Sequence, residues 1–273
     1  MTEFVLISDI HTDINKWNWE CLDPFLNIDT IVIAGDISNY AFDIFAFLEE
    51  MKRKFKNVIW VAGNHDYYII DRNIVNFQTV DETNKAYKEF SAERGIYFLE
   101  NEMVTIGGVN FLGTTGWHDF KAGQPYAPMS QVNAYKNMMN DYNFINYGFG
   151  LKGDIDDTSV KIVRMAENAC DWLENTLKEL PNGKNNVVIT HYIPHSVLQT
   201  QKPWDANYTK LNGSYTNTEF EKIIGSPVDK IAYWCYGHTH DRKMTTINNI
   251  NFVNNSRGYQ NESANWFPII LEV

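Results

Sequence analysis

Cysteine is scarce in this chain of 273 residues: Cys21, Cys170 and Cys235 are odd in number and far apart. Neither a disulfide framework nor a paired-cysteine zinc ribbon can be built from them, and a reducing compartment is expected. Long apolar runs are missing too, and no stretch approaches the roughly 18 residues of a membrane span. The opening MTEFVLISDIHTD has no basic region and only four consecutive apolar residues, so no secretory leader is expected there. Positive charge is in deficit, with 23 Lys and Arg against 34 Asp and Glu and a net charge of −11. Such a surface opposes the coating of long nucleic acid or an anionic membrane. Repeats, low-complexity tracts and Pro/Gly/Ser linkers are absent, so residues 1–273 are read as one domain. What is plentiful is core material, 44% hydrophobic and 14% aromatic, enough for a large folded interior. The 31 asparagines, a thermolabile residue type, point to a mesophilic and, with the cysteines, cytoplasmic protein.

Three short β-branched runs, Glu3 to Ile7, Thr30 to Ala34 and Asn57 to Ala62, read as buried strands because they are apolar nearly throughout and end at turn formers. Between the second and third, Phe42, Phe45, Ala46 and Leu48 recur at helical spacing, with Lys52, Arg53 and Lys54 at the negative end of the dipole. A second helix is expected from about Thr83 to Arg94, stopped by Gly95. Tyr97 to Glu100, Met103 to Ile106 and Val109 to Leu112 follow with short turns, the spacing of antiparallel pairing. A third helix is expected over about Val160 to Leu180, then strands at Asn186 to Thr190, Ile231 to Cys235, Met244 to Asn248, Asn251 to Asn254 and Pro268 to Val273. Helices alternate with strands early and strands run together later, which predicts an α/β fold with mixed sheets. Residues 114–151 and 192–216 read as irregular loops with short helices.

Five strands hand over at once to polar residues: Ile7 to Ser8-Asp9-Ile10-His11, Ala34 to Gly35-Asp36, Ala62 to Gly63-Asn64-His65-Asp66, Ile189 to Thr190-His191, and Cys235 to Tyr236-Gly237-His238-Thr239-His240. Carboxyl ends of adjacent strands form the ligand crevice of α/β proteins, so these groups are expected to converge. Carboxylate oxygen and imidazole nitrogen without thiolate suit Mn, Fe, Zn or Co. Seven donors exceed the needs of one tetrahedral ion and suit two ions about 3.5–4 Å apart, a geometry that serves phosphoester hydrolysis.

D-x-H, GD, GNHD, H and GHTH, in that order at residues 9–11, 35–36, 63–66, 191 and 237–240, make the chain resemble the calcineurin-like metallophosphoesterase superfamily. GTTGWHDF (Gly113 to Phe120), MNDY (Met139 to Tyr142) and NNSRGY (Asn254 to Tyr259) are similar to motifs of a bacterial and phage subgroup of uncharacterised phosphohydrolases. The resemblance implies two mixed β-sheets packed as a sandwich with flanking helices. It implies Asp9, His11 and His240 on one divalent or trivalent ion, Asn64, His191 and His238 on the other, and Asp36 bridging them. A metal-bridging hydroxide would then attack phosphorus in line, with His65 protonating the leaving oxygen or binding a phosphoryl oxygen. The substrate class implied is a small phosphoester, monoester or diester.

Two readings compete with a hydrolase. Some proteins of this fold are non-catalytic scaffolds, but those lack or change parts of the donor set, which is complete here. Protein phosphatases of the superfamily carry GD-x-VDRG and GNHE, whereas this chain has GDISNY and GNHD, without their arginine. Tyr192, where diesterase-like members often carry a second His, leaves the diester preference open. On the bordering segments, Trp117, His118, His195 and Arg257 are candidate substrate-binding residues. Asp119 and Asp141 balance Lys121 and Lys136 over residues 114–151, while Lys202 and Lys210 exceed Asp205 over residues 192–216. An anion can approach such segments, and Trp117, Tyr126, Trp204 and Tyr208 offer stacking faces to a nucleotide-like or aryl group. The alternative for each is loop packing, and for Arg257 pinning of the C-terminal loop. Nothing in the sequence sets the oligomeric state.

Overall fold

A computed structural model of the chain describes residues 1–71, 73–121, 124–148, 155–199, 211–226 and 229–273, the side chains of 155–157 excepted. One sheet contains β1 (Glu3–Ile7), β2 (Thr30–Ala34), β3 (Asn57–Val61), β4 (Tyr97–Phe98) and β11 (Ile269–Glu272), ordered β11-β1-β2-β3-β4. The other contains β5 (Glu102–Ile106), β6 (Val109–Thr114), β7 (Asn186–Thr190), β8 (Ile231–Tyr236), β9 (Lys243–Ile247) and β10 (Ile250–Asn254), ordered β5-β6-β7-β8-β10-β9. Central pairs are parallel, while β11, β5 and β9 pair antiparallel at the edges. Both sheets are therefore mixed, as the order of elements predicts.

Alternation along each strand makes the layers. Phe4 and Leu6 of β1, Val32 and Ala34 of β2, and Ile59 and Val61 of β3 meet Phe111, Val187, Ile189 and Cys235 between the sheets. The intervening Val5, Ile7, Ile31, Ile33, Val58 and Trp60 pack outward on α1 (Ala41–Lys54) and α2 (Val80–Glu93), against Ile44, Leu48 and Tyr87. Beyond the short helices α3 (Met129–Met138) and α4 (Asp141–Phe144), α5 (Ile155–Glu179) covers the second sheet. Its Ala169, Cys170, Leu173 and Leu177 pack on Val188, Trp234 and Phe252. Strands buried on both faces need apolar residues on both, which is why their sequences run apolar without alternating. Among the described residues no helix is long and apolar enough to cross a membrane.

Two local expectations change. The segment from Tyr97 does not pair with the next strand: β4 lies parallel to β3, Ile59 opposite Tyr97 and Trp60 opposite Phe98, and the chain then crosses to the other sheet. Phe98 packs on Trp60 at 4.7 Å between ring centroids, and Leu99 enters the layer between the sheets. Burial on both sides thus outweighs a local hairpin. Helix α2 begins at Val80 rather than near Thr83, because Thr79 accepts the Glu82 N–H while the Glu82 carboxylate accepts the Thr79 N–H.

Candidate metal centre

All seven predicted donors stand just beyond strand ends, and both sheets contribute. Asp9 and His11 follow β1, Asp36 follows β2 and Asn64 follows β3, while His191 follows β7 and His238 and His240 follow β8. The two sets join where Ser8 bridges Ser256 beyond β10. Five of the seven, Asp9, His11, Asp36, His238 and His240, hold φ between 47° and 73°. That left-handed region is costly for residues with a Cβ and is held only where surroundings over-determine it. Here the backbone is tied across strands: the Asp9 N–H donates to Gly35 O at 2.9 Å and the Gly237 N–H to His191 O at 3.0 Å. Gly35, at φ 86°, leaves no room for a side chain, since a Cβ would lie 2.5 Å from His191 Nδ1 and 2.7 Å from Gly63 N.

Asp66 anchors this corner. Its buried carboxylate accepts the backbone N–H groups of Asp36, Ile37, Ser38 and Gly63. Burial and the nearby Asp36 push its pKa up to about 7 against those donors. Asp66 binds the loops that carry Asp36 and Asn64.

Three overlapping groups of donors each lie within 4.8 Å: Asp9, His11 and His240; His11, Asp36 and His65; Asp36, His191 and His238. His191 Nδ1 donates to Ala34 O at 2.9 Å, so its Nε2 faces Asn64 Oδ1 at 3.0 Å and Asp36 Oδ2 at 3.4 Å. His240 Nδ1 donates to the Glu262 carboxylate at 2.7 Å, aiming Nε2 at His11 Nε2, 3.0 Å away, and Asp9 Oδ1, 3.5 Å away. Asp9 Oδ2 accepts from Ser8 at 2.6 Å and Ser256 at 2.7 Å, and Oδ1 accepts the His238 N–H at 2.9 Å.

This donor set fits a cation. Asn64 gives its Nδ2 to Asp141 at 2.8 Å, so Asn64 Oδ1 and the His191 Nε2 lone pair are two acceptors face to face. They need a proton or a metal ion between them. Burial opposes charge on His191, but Asp36 outweighs it and pushes the pKa up to about 9, the protonic answer to the same demand. Burial likewise opposes charge on His240, and Asp9 and Glu262 push it up to about 9. His11 goes the other way, down to about 3 by burial and the neighbouring His65. Burial and His191 hold His238 well below its ordinary value. His238 is buried with both ring nitrogens unpartnered, and His11 Nδ1 is unpartnered too. Neutral buried imidazoles without hydrogen bonds are costly unless a ligand uses them.

Beside the donors lies a cleft of about 270 Å³, walled by Tyr68, Met138, Met139, Asn140, Tyr215 and Tyr259. His65 lines it, its Nδ1 donating to Asn39 Oδ1 at 2.7 Å and its ring set 4.4 Å from Tyr68 and 4.6 Å from His11 between centroids. Asn39 in turn donates to Asp13 at 2.6 Å.

The four candidate substrate contacts are not on this wall. Trp117 is 1% exposed and packed among Tyr67, Tyr147 and Tyr192, so it is a core residue with no face for a ligand. His118 is fully buried between Phe120, Tyr135 and Tyr192, where burial takes its pKa down to about 3. His195 caps its own turn, accepting the Val197 N–H at 3.1 Å, and lies 3.5 Å from Glu221. Arg257 donates to Ile10 O, Asn15 O and Lys16 O, which pins the C-terminal loop to the turn after β1. Tyr126 is 71% exposed and not part of the wall. Trp204, Tyr208, Lys202, Lys210 and Asp205 lie outside the described residues. The aromatics that do face the cleft, Tyr68, Tyr215 and Tyr259, were missed. Tyr259 ends NNSRGY and Tyr68 stands two residues after GNHD, so closeness to the motifs was the available signal.

Comparison with known proteins agrees with this picture. A family model described as calcineurin-like phosphoesterase matches residues 2–242. An uncharacterized protein of Acanthamoeba polyphaga mimivirus is 26% identical over 259 residues, 92% of this chain and 85% of that protein. The acyl-carrier-protein phosphodiesterase PptH of Mycobacterium tuberculosis is 38% identical over 69 residues, 24% of this chain and 21% of that one. In the crystal structure of phosphopantetheinyl hydrolase (PptH) from Mycobacterium tuberculosis the fold recurs with a TM-score of 0.71, over 99% of this chain and 95% of that one, at 17% identity.

Proposed function

Because the chain belongs to the calcineurin-like phosphoesterase family, we propose that residues 1–273 act as one catalytic unit hydrolysing a small phosphoester at a dinuclear metal centre. Asp9, His11 and His240 would hold one ion, Asn64, His191 and His238 the other, and Asp36 would serve both, the ions being drawn from Mn, Fe, Zn and Co. When bound, such a pair supplies Lewis acidity toward phosphoryl oxygens and lowers the pKa of coordinated water. The observation that carries this reading is the convergence of imidazoles and carboxylates in three overlapping groups, with both ring nitrogens of the buried His238 and Nδ1 of the buried His11 left without a hydrogen bond. A scaffold has no use for a complete donor set held on strained backbone.

His65 is the proton donor to the leaving oxygen. Its Nδ1–H is committed to Asn39, and Asn39 is held by Asp13, so Nε2 is the nitrogen left for proton transfer. The cleft of about 270 Å³ admits a small group, and Tyr215 and Tyr259 offer rings to an aryl or nucleotide-like substituent. The name of one mycobacterial relative, the acyl-carrier-protein phosphodiesterase PptH, supports a diester among the substrates. Scarce cysteine and acidic charge support a cytoplasmic setting without long nucleic acid or membrane partners.

The test is a screen of metal-reconstituted protein against aryl monoesters and diesters, cyclic nucleotides, dinucleotides and phosphopeptides. Metal-dependent turnover of a small ester, with two ions per chain by elemental analysis, is expected. Metal content near zero that Mn, Zn, Fe or Co cannot restore would sink the reading.

A further inference from the structure

We propose that Asp141 is a positioning residue that sets which way the Asn64 side-chain amide faces, committing its oxygen to the donor cluster; this rests on the metal-centre reading above. Asp141 opens α4 and is fully buried. Its Oδ1 accepts from Asn64 Nδ2 at 2.8 Å and from the Tyr68 hydroxyl at 2.5 Å, and its Oδ2 accepts from the Tyr192 hydroxyl at 3.3 Å. None of these partners belongs to α4, so the carboxylate is not serving its own helix.

A carboxylate offers only acceptors, and an amide has one end that donates and one that accepts. The Asn64 NH₂ must therefore turn toward Asp141, and the amide oxygen falls on the opposite side, 3.0 Å from His191 Nε2. The two ends of an amide are nearly equal in size, so packing alone does not choose between them. A flipped Asn64 would present N–H groups, which have no lone pair for a metal ion. The same carboxylate holds Tyr68, whose ring lies 4.4 Å from that of His65 between centroids. Asp141 thus steadies one donor and the support of the proposed acid together. The pair Asp13 and Asn39 repeats the device on His65, with a carboxylate turning an amide so that its oxygen faces an imidazole.

The experiment titrates the folded chain with Mn²⁺ alone, in the wild type, in Asp141→Asn, and in the exchanged pair Asn64→Asp with Asp141→Asn. Wild type should take two ions. In Asp141→Asn the new amide can donate to the Asn64 oxygen, and the affinity for one of the two ions should fall by about 10–100-fold, the usual cost of losing an outer partner of a ligand. The other ion should be unaffected. The exchanged pair keeps the net charge and reverses donor and acceptor, so it should regain the lost ion; a merely structural carboxylate would not give that recovery. Unchanged affinity for both ions in Asp141→Asn overturns the proposal. If that variant does not fold by circular dichroism, the exchanged pair decides: two ions support the assignment, and a folded pair that has lost one overturns it. A wild-type chain that takes up no Mn²⁺ sinks the metal-centre reading itself, whereas two ions in wild type with an indifferent Asp141→Asn sinks only the role of Asp141.

Discussion

The floor and the wall of the cleft are built by opposite means. On the floor, donors stand at the ends of strands in both sheets and are tied by buried partners: Ser8 and Ser256 to Asp9, Ala34 to His191, Asp141 to Asn64. On the wall, Tyr215 and Tyr259 stand on turns, Met139 and Asn140 lie between two short helices, and Met138 is 42% exposed. A reacting constellation must be held to a fraction of an ångström, which sheets do well, whereas recognition tolerates loops that vary. On the proposed function, the difference assigns chemistry to the strand ends and selectivity to the turns.

That separation can be broken by substitution. Asp36→Ala removes a carboxylate near both His11, at 3.7 Å, and His191, at 3.4 Å. It should lower metal content at both sites in elemental analysis, and the loss of several kcal/mol of Lewis-acid stabilisation, at 1.36 kcal/mol per decade, predicts a fall in kcat of about 10³-fold or more. His65→Ala should cost about 10²-fold in kcat with both ions retained, and less with nitrophenyl than with alkyl leaving groups. Equal losses on the two would point to phosphoryl binding instead. On the wall, Tyr259→Ala should raise KM by about tenfold, the scale of one lost aromatic contact, while kcat and metal content stay put; a fall in kcat to match would place Tyr259 with the floor. Trp117→Ala should have the smallest effect on KM of the four, none, though the buried ring should cost about 3–5 kcal/mol in denaturant unfolding.

The floor was legible in the sequence because donor chemistry and strand ends are both local signals. Asp9, Asp36, Asn64 and His191 each follow a β-branched run within a few residues and His238 an aromatic one, and the fold then forces the runs side by side. The wall was not. Trp117 and Tyr259 look alike as aromatics outside the strands, and only the path of the chain decides that one ring is swallowed by Tyr67, Tyr147 and Tyr192 while the other lies tilted beside His11 at 4.9 Å. Arg257 reads from sequence as either an anion binder or a pin for the C-terminal loop, and three backbone carbonyls decide for the pin. The change of sheet after β4 was equally hidden, since short turns precede both a hairpin and a crossover. The start of α2, by contrast, was written in Thr79 and Glu82, three residues apart as a capping box requires.

His11 and His240, 3.0 Å apart in space, are separated by 229 positions in the chain. Contacts of such long range form late, because much of the intervening chain must be ordered before they are rewarded. Asp9, His11, Asp36 and Asn64 follow strands of the first sheet and His191, His238 and His240 strands of the second, so the full donor set exists only once the two sheets have packed. The donor set is thus a readout of completed folding rather than of any local segment.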